Sequence, residues 1–90
     1  MDSILQSEKV CYISGATDIL HKHHCIGGSN RQMADKEGLW VYLTPEWHMK
    51  AHSNTALKKY LQGIAQAEWL RKYENDKEKW MKLFGRNYLA

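Results

Sequence analysis

Apolar residues in the second half of the chain recur at intervals of three or four positions, the spacing of one face of an α-helix. They are Leu57, Leu61, Ile64, Ala65, Trp69 and Leu70. This pattern breaks near Asn75-Asp76, a pair typical of a helix cap. A short last helix then carries Trp80, Met81 and Phe84 and ends at Gly85. The core candidates of the helical part are Trp69, Trp80 and Phe84.

The first half contains shorter runs that favour β-strands. Residues 10–13 (Val-Cys-Tyr-Ile) form a compact β-prone run before the turn dipeptide Ser14-Gly15. Residues 20–25 can be extended, and residues 39–43, with aromatic, β-branched and leucine side chains, are the clearest strand. The glycine-rich segment 27–38 reads as a loop between them. The sequence therefore predicts a two-stranded hairpin, 20–25 with 39–43, joined by a long loop.

A helix is predicted to follow the second strand at once. Residues 44–46 are Thr-Pro-Glu: threonine can cap a helix, proline suits its first position, and glutamate suits its first turn. His48 and His52 are four residues apart, so a helix places them on one face, one turn apart. Residues 53–55 (Ser-Asn-Thr) either cap a second helix or interrupt a continuous one.

The length of 90 residues predicts one domain with a modest core, and a chain this short often needs a staple such as a metal ion. No apolar run approaches the roughly 20 residues that span a bilayer, and the N-terminus has no basic segment followed by an apolar one. We therefore expect no membrane association and a cytoplasmic location. The two cysteines, Cys11 and Cys25, do not favour a secreted disulfide framework.

Charge is unevenly distributed, although the formal net charge is only +3. From Gly38 onward there are nine Lys or Arg residues against five Asp or Glu, and before it four against five. The basic excess suits a polyanionic partner, and a solvated helical surface accounts for it equally well. The candidates for phosphate contact are Lys22, Arg31, Lys50, Lys58 and Arg86.

All five histidines lie between His21 and His52. In an extended segment His23 and His24 point to opposite faces, so that one can bind a metal while the other faces a substrate. Three neutral imidazoles, one from this strand with His48 and His52 from the helix, would favour Zn²⁺, Ni²⁺ or Mn²⁺ over Mg²⁺. Three protein ligands also leave positions open for a phosphate oxygen and water. Free imidazole has a pKa of about 6.5, so the strand histidine that does not bind the metal suits a general base near neutral pH.

The order strand, loop, strand, helix, with histidines on the first strand and the helix, resembles the HNH endonucleases, and most closely the small phage-encoded HNH-type proteins. The resemblance runs from about Cys11 to the C-terminus. It is carried by residues 20–24 (Leu-His-Lys-His-His), 27–31 (Gly-Gly-Ser-Asn-Arg), 38–48, 64–66 (Ile-Ala-Gln) and 84–89 (Phe-Gly-Arg-Asn-Tyr-Leu).

This resemblance implies a small α+β fold with a ββα-metal core at residues 10–56, a flexible leader at 1–9 and a helical part at 57–90. It implies that His23 is a metal ligand, that His24 is the general base, and that His48 and His52 complete the metal site. The Nδ1–H of the imidazole is expected to need an orienting acceptor, usually a backbone carbonyl in the long loop. His21 is expected to have a surface or ligand-orienting role.

Three departures from the family pattern leave alternatives open, one of them Cys25, which follows His24 where a larger or aliphatic residue is common. Of the four cysteines of a zinc knuckle only Cys11 is present, with Ser14, Thr44 and Trp47 at the other positions, so no structural zinc is expected. The motif's middle asparagine has no clear counterpart before Leu39. His24 can therefore be a base, or instead a DNA-contacting or loop-bracing residue.

The resemblance and the histidine pattern together predict a metal-dependent endonuclease that nicks or cuts DNA in a phage or prophage setting, acting as a monomer or homodimer. One alternative is a non-catalytic module that keeps the scaffold and binds nucleic acid or a host or phage protein, for example to inhibit a defence nuclease. A second alternative is a metal that only stabilises a small domain.

Overall fold

Two short antiparallel strands, β1 (His21–His24) and β2 (Trp40–Leu43), form the sheet. In this computed structural model, which describes residues 1–89, His23 lies opposite Val41 and His24 opposite Trp40. Val41 and Leu43 are fully buried, so the sheet presents one face to the core. The hairpin predicted from residues 20–25 and 39–43 is confirmed.

Four α-helices accompany the sheet within residues 1–89, so the prediction of a small α+β fold is confirmed. They are α1 (Arg31–Lys36), α2 (Pro45–Ser53), α3 (Thr55–Lys72) and α4 (Lys77–Phe84). None of them has the length and apolar character of a membrane-crossing helix. Ala90, the last residue of the predicted helical part, lies outside the described residues.

The connection between the strands contains a helix that the sequence analysis does not predict. A 3-10 turn at Gly28–Asn30 leads into α1, which ends before Gly38 with φ of +75°. Ala34 is fully buried, and its carbonyl accepts a hydrogen bond from the Leu39 N–H at 2.8 Å. The prediction of a continuous loop over residues 27–38 is therefore wrong, because this buried alanine ties the segment to the core.

Residues 3–6 of the leader lie along the outer edge of β2. The Ser3 hydroxyl donates to the Trp40 carbonyl at 2.5 Å, and the Tyr42 N–H donates to Gln6 Oε1 at 2.6 Å. The Ile4 N–H donates to the Gly38 carbonyl at 2.9 Å. An unpaired strand edge exposes such groups, and here leader residues satisfy them.

The predicted strand at residues 10–13 is also wrong, because this segment turns instead of extending. The Gly15 N–H donates to the Cys11 carbonyl at 2.8 Å, closing a turn. Only the Tyr12 N–H among the four donates to β2, reaching the Tyr42 carbonyl at 2.8 Å. With the leader already on the same edge, little length of β2 is left to pair.

The start of α2 and the break after it are as the sequence predicts. Thr44 Oγ1 accepts from the Trp47 N–H at 3.5 Å, and Pro45 is the first helical residue. Asn54 Oδ1 accepts from the Leu57 N–H at 3.0 Å, so residues 53–55 cap a second helix. α2 and α3 are therefore two helices that meet at Asn54.

Three aromatic residues form the centre of the helical part, as predicted, whereas Met81 is exposed. Trp69, Trp80 and Phe84 are buried. The Trp69 indole N–H donates to Glu37 Oε1 at 2.9 Å, and that of Trp80 donates to the Arg86 carbonyl at 2.8 Å. Because a buried indole N–H needs an acceptor, these bonds join α3 to the end of α1 and the C-terminal residues to α4.

Gly38→Ala tests whether the leader is docked. A Cβ at this position would collide with the Asp2 carbonyl and approach Ile4 Cγ2 to 3.2 Å. Gly38→Ala therefore combines the cost of overpacking with the cost of a positive φ for a residue that has a Cβ. We expect it to lower the free energy of unfolding, measured with urea, by about 2–4 kcal/mol.

Gly15→Ala is the matched control, because Gly15 has φ of +78° and a Cβ added there would meet nothing within 4 Å. Its expected loss is the backbone penalty alone, about 1 kcal/mol. Equal losses for the two variants would contradict the docking of the leader.

Candidate metal centre

His48 and His52 lie one turn apart on α2, and their Nε2 atoms are 3.2 Å from each other. Two nitrogens bound to one tetrahedral zinc at about 2.0–2.1 Å are about 3.3 Å apart. The helix therefore holds this pair of imidazoles at the separation that a shared cation requires. The capped start of α2 at Thr44 fixes where this face points.

His23 reaches the same point from β1. Its side chain is on the buried face of the strand, only 5% exposed. Its ring centroid is 5.3 Å from that of His48 and 5.3 Å from that of His52. One ring nitrogen from each of the three histidines lies within 4.8 Å of the others, so His23, His48 and His52 lie close enough to hold a metal ion.

Desolvation and neighbouring histidines disfavour the protonated forms of His23 and His48. Desolvation, followed by repulsion from His48 and His52, lowers the pKa of His23 to about 4. Desolvation, with His52 and His21 as further causes, also lowers the pKa of His48. Neutral imidazole is the form that binds metals, so these residues need not lose a proton to do so at neutral pH.

His21 contacts the cluster from outside. Its Nδ1 lies 3.1 Å from His48 Nδ1. A hydrogen bond there occupies the nitrogen of His48 that faces away from His52 and leaves Nε2 for a ligand. The position agrees with the ligand-orienting role expected for His21.

His24 points to the other side of β1, toward α1. Its Nε2 lies 2.9 Å from Asp35 Oδ1, and the same oxygen lies 2.6 Å from Lys22 Nζ. Lys22, followed by His24, lowers the pKa of Asp35 to about 2 through these hydrogen bonds. The acceptor expected at Nδ1 of His24 is not found there, because Nδ1 faces Arg31 Nε at 3.4 Å. The acceptor beside His24 is the Asp35 carboxylate, and it lies at Nε2.

Asp35 is the site residue that the sequence analysis misses. It lies in the segment 27–38, which reads as a loop in the sequence, so no direction can be given to its side chain from the sequence alone. The signal that could have found it is the spacing of Arg31 and Asp35, four residues apart between Asn30 and Gly38. On a helix that spacing places both side chains on one face, next to His24.

One cleft joins the two sides of the site. It has a volume of about 310 Å³, and its lining includes Lys22, His23, His24, Arg31, His48 and His52. The three clustered histidines and the candidate base thus face one space. The positively charged side chains at the rim of this cleft are those of Lys22 and Arg31.

The other predicted phosphate contacts are dispersed. The charge of Lys58 contributes to the lowered pKa of His23, so it lies near the cluster. Lys50 pairs with Glu46 at 3.3 Å on the surface of α2. Arg86 lies over the Tyr88 ring at 5.4 Å from its centroid. Contact with nucleic acid stays a prediction for all five basic residues, namely Lys22, Arg31, Lys50, Lys58 and Arg86.

The two cysteines are buried, as expected. The Ser14 N–H donates to Cys11 Sγ at 3.5 Å, and Thr44 Oγ1 lies 4.0 Å from the same sulfur. Two of the three positions compared with the other knuckle cysteines, Ser14 and Thr44, therefore lie beside the Cys11 thiol. Burial raises the pKa of Cys25 to about 12, which makes it a poor nucleophile.

Comparison with protein-family models gave no match, and comparisons with curated proteins and with solved structures gave none either. The fold and the site define a small α+β protein with a three-histidine cluster that can hold a metal ion. Any further assignment depends on the chemistry of that cluster and of the residues around it.

Proposed function

We propose that the chain is a metal-dependent endonuclease of the HNH type, with a ββα-metal core, that hydrolyses DNA phosphodiester bonds in a phage or prophage setting. One observation carries the proposal: the ring nitrogens of His23, His48 and His52 lie within 4.8 Å of one another, and His24 faces the same cleft. The order β1, β2, α2 that produces this convergence is compatible with the resemblance found in the sequence.

The donor set fits one divalent ion. Three imidazole nitrogens favour Zn²⁺, Ni²⁺ or Mn²⁺ over Mg²⁺, and they leave coordination positions for oxygen ligands. When bound, such an ion polarises the scissile phosphate and stabilises the departing oxygen. The cleft beside the three histidines is open enough to admit a phosphate group.

The protein's own residues supply the remaining steps. His24 accepts a proton from the attacking water. Lys22 and Arg31, at the rim of the cleft, bind the phosphates that flank the scissile bond. One such site cuts one strand, so a double-strand break requires a homodimer or two encounters.

A second candidate function is a binding module that holds the metal and does not cleave, with nucleic acid or a host or phage protein as partner. The favouring observation is that both ring nitrogens of His24 have partners, Asp35 at 2.9 Å and Arg31 at 3.4 Å. A base must expose one nitrogen to water. Under this alternative Arg31 stays in place and the metal stabilises the fold.

Calorimetric titration with Zn²⁺ tests the metal site. His48→Ala removes a ligand, and we expect affinity to fall further than in His21→Ala, for which the loss of an orienting partner gives about 10–100-fold. His24→Ala should bind zinc as the wild type does, because His24 lies on the opposite side of β1. Zinc should also raise the melting temperature of the wild type.

The order of zinc affinities among these variants decides whether the ligands are assigned correctly. Zinc affinity that survives His48→Ala, or that is lost in His24→Ala, would contradict the assignment of ligands. A loss in His48→Ala caused by unfolding is recognised by thermal melting of the metal-free proteins.

Nicking of supercoiled plasmid with Mn²⁺, Ni²⁺ or Mg²⁺ tests the proposed activity. His24→Ala should lower kcat by about 10²–10⁴-fold, the usual contribution of a general base, with metal affinity unchanged. Lys82→Ala, at the exposed salt bridge to Glu78 on α4, serves as the surface control and should cleave as the wild type does.

Two results would count against the nuclease. Equal nicking by wild type and His24→Ala would remove His24 from the role of base. A wild type that binds metal at the three histidines and cuts no DNA with any of the three ions would favour the binding module instead.

A further inference from the structure

We propose that Asp35 is the positioning residue of His24, holding its ring so that Nδ1 faces the cleft as proton acceptor. The role of His24 as a base rests on the proposed function, whereas the positioning of its ring by Asp35 rests on geometry alone. Asp35 lies on α1, and its Oδ1 is 2.9 Å from His24 Nε2. It goes beyond the histidine set, because the proposed metal ligands and the proposed base are all histidines and Asp35 is not among them.

The two partners of His24 determine which ring nitrogen carries the proton. An ionised carboxylate can only accept, so the proton of the Asp35 contact is on Nε2 of His24. A guanidinium can only donate, so Nδ1, 3.4 Å from Arg31 Nε, offers a lone pair. The two contacts, on opposite edges of the ring, agree on the same tautomer.

The contact at Nδ1 is the weaker of the two. At 3.4 Å it is at the long end of the hydrogen-bond range, and the Arg31 side chain is exposed. Arg31 can therefore turn to a phosphate while Asp35 keeps its place. Once Arg31 has turned away, the lone pair of His24 Nδ1 is open to water.

Asp35 is held through its carboxylate and through the helix that carries it. Lys22 Nζ lies 2.6 Å from the same Oδ1 of Asp35. The Lys22 ammonium also lies over the Trp40 ring, 4.3 Å from the ring centroid. The neighbouring Ala34 is fully buried, which anchors α1. The chain Lys22, Asp35, His24 therefore joins two elements of the fold, and His24 is at its inner end with a side chain only 13% exposed.

Proton NMR of the full-length ¹⁵N-labelled protein, with and without Zn²⁺, tests the positioning without any need for cleavage. We expect a downfield His24 Nε2–H resonance, protected from exchange with solvent, in the wild type. Asp35→Asn should keep it, since Lys22 holds the amide oxygen toward the ring, and Asp35→Ala should lose it. Asp18→Ala, at an exposed carboxylate before β1, is the matched control and should keep it.

The same variants are compared in plasmid nicking. Asp35→Ala should lower kcat by about 10–100-fold, the usual cost of an orienting partner, with KM and zinc affinity unchanged. Asp35→Asn should recover part of kcat. Alanine is a good helix former and Asp35 is half-exposed on α1, so the variant should fold, and thermal melting checks this.

The outcomes separate this inference from the proposed function. A protected resonance that is absent in the wild type, or unchanged in Asp35→Ala, overturns the positioning. A kcat that is unchanged in Asp35→Ala, or that falls equally in Asp35→Asn and Asp35→Ala, also overturns it. If the wild type cuts no DNA, the nuclease fails, and the resonance alone still decides whether Asp35 positions His24.

Discussion

The pairing register of β1 with β2 is the constraint on which the whole site depends. Side chains alternate along a strand, so a slip of one residue would turn His24 toward α2 and His23 toward Asp35. The register places His23 opposite Val41, whose side chain is fully buried. Two hydrogen bonds, one donated by Ser3 to the Trp40 carbonyl and one accepted by Gln6 from the Tyr42 N–H, hold the other edge of β2. Residues far from the histidines therefore determine which imidazole faces the cluster.

In the histidine cluster a strand meets a helix through ring contacts and one contact between imidazole nitrogens, His48 Nε2 to His52 Nε2 at 3.2 Å. The burial of His23 there lowers its pKa to about 4. The fold brings the strand and the helix together through the core below, where Val41, Leu43 and Ala51 are buried. A shared cation would add direct bonds between β1 and α2. Binding of a metal and stability of this half of the domain are consequently linked.

Much of the histidine cluster is predictable because the features that define it are local in sequence. The spacing of His48 and His52, with a cap at Thr44, defines a helical pair, and alternation separates His23 from His24. The leader, the turn at residues 12–14 and α1 are not predictable in the same way. Each depends on a contact with a distant residue, such as Gln6 with Tyr42 or Ala34 with Leu39. Asp35 escapes prediction for that reason, since its role exists only once α1 lies beside β1.

Anomalous diffraction from crystals grown with Zn²⁺ tests the central claim most directly, because it locates the cation without reference to activity. The account predicts one zinc peak at about 2.0–2.1 Å from a ring nitrogen of each of His23, His48 and His52. In the same map His24 should contact Asp35 and not the ion. A peak bound by His24, or a protein in which the three histidines hold no ion, would contradict it.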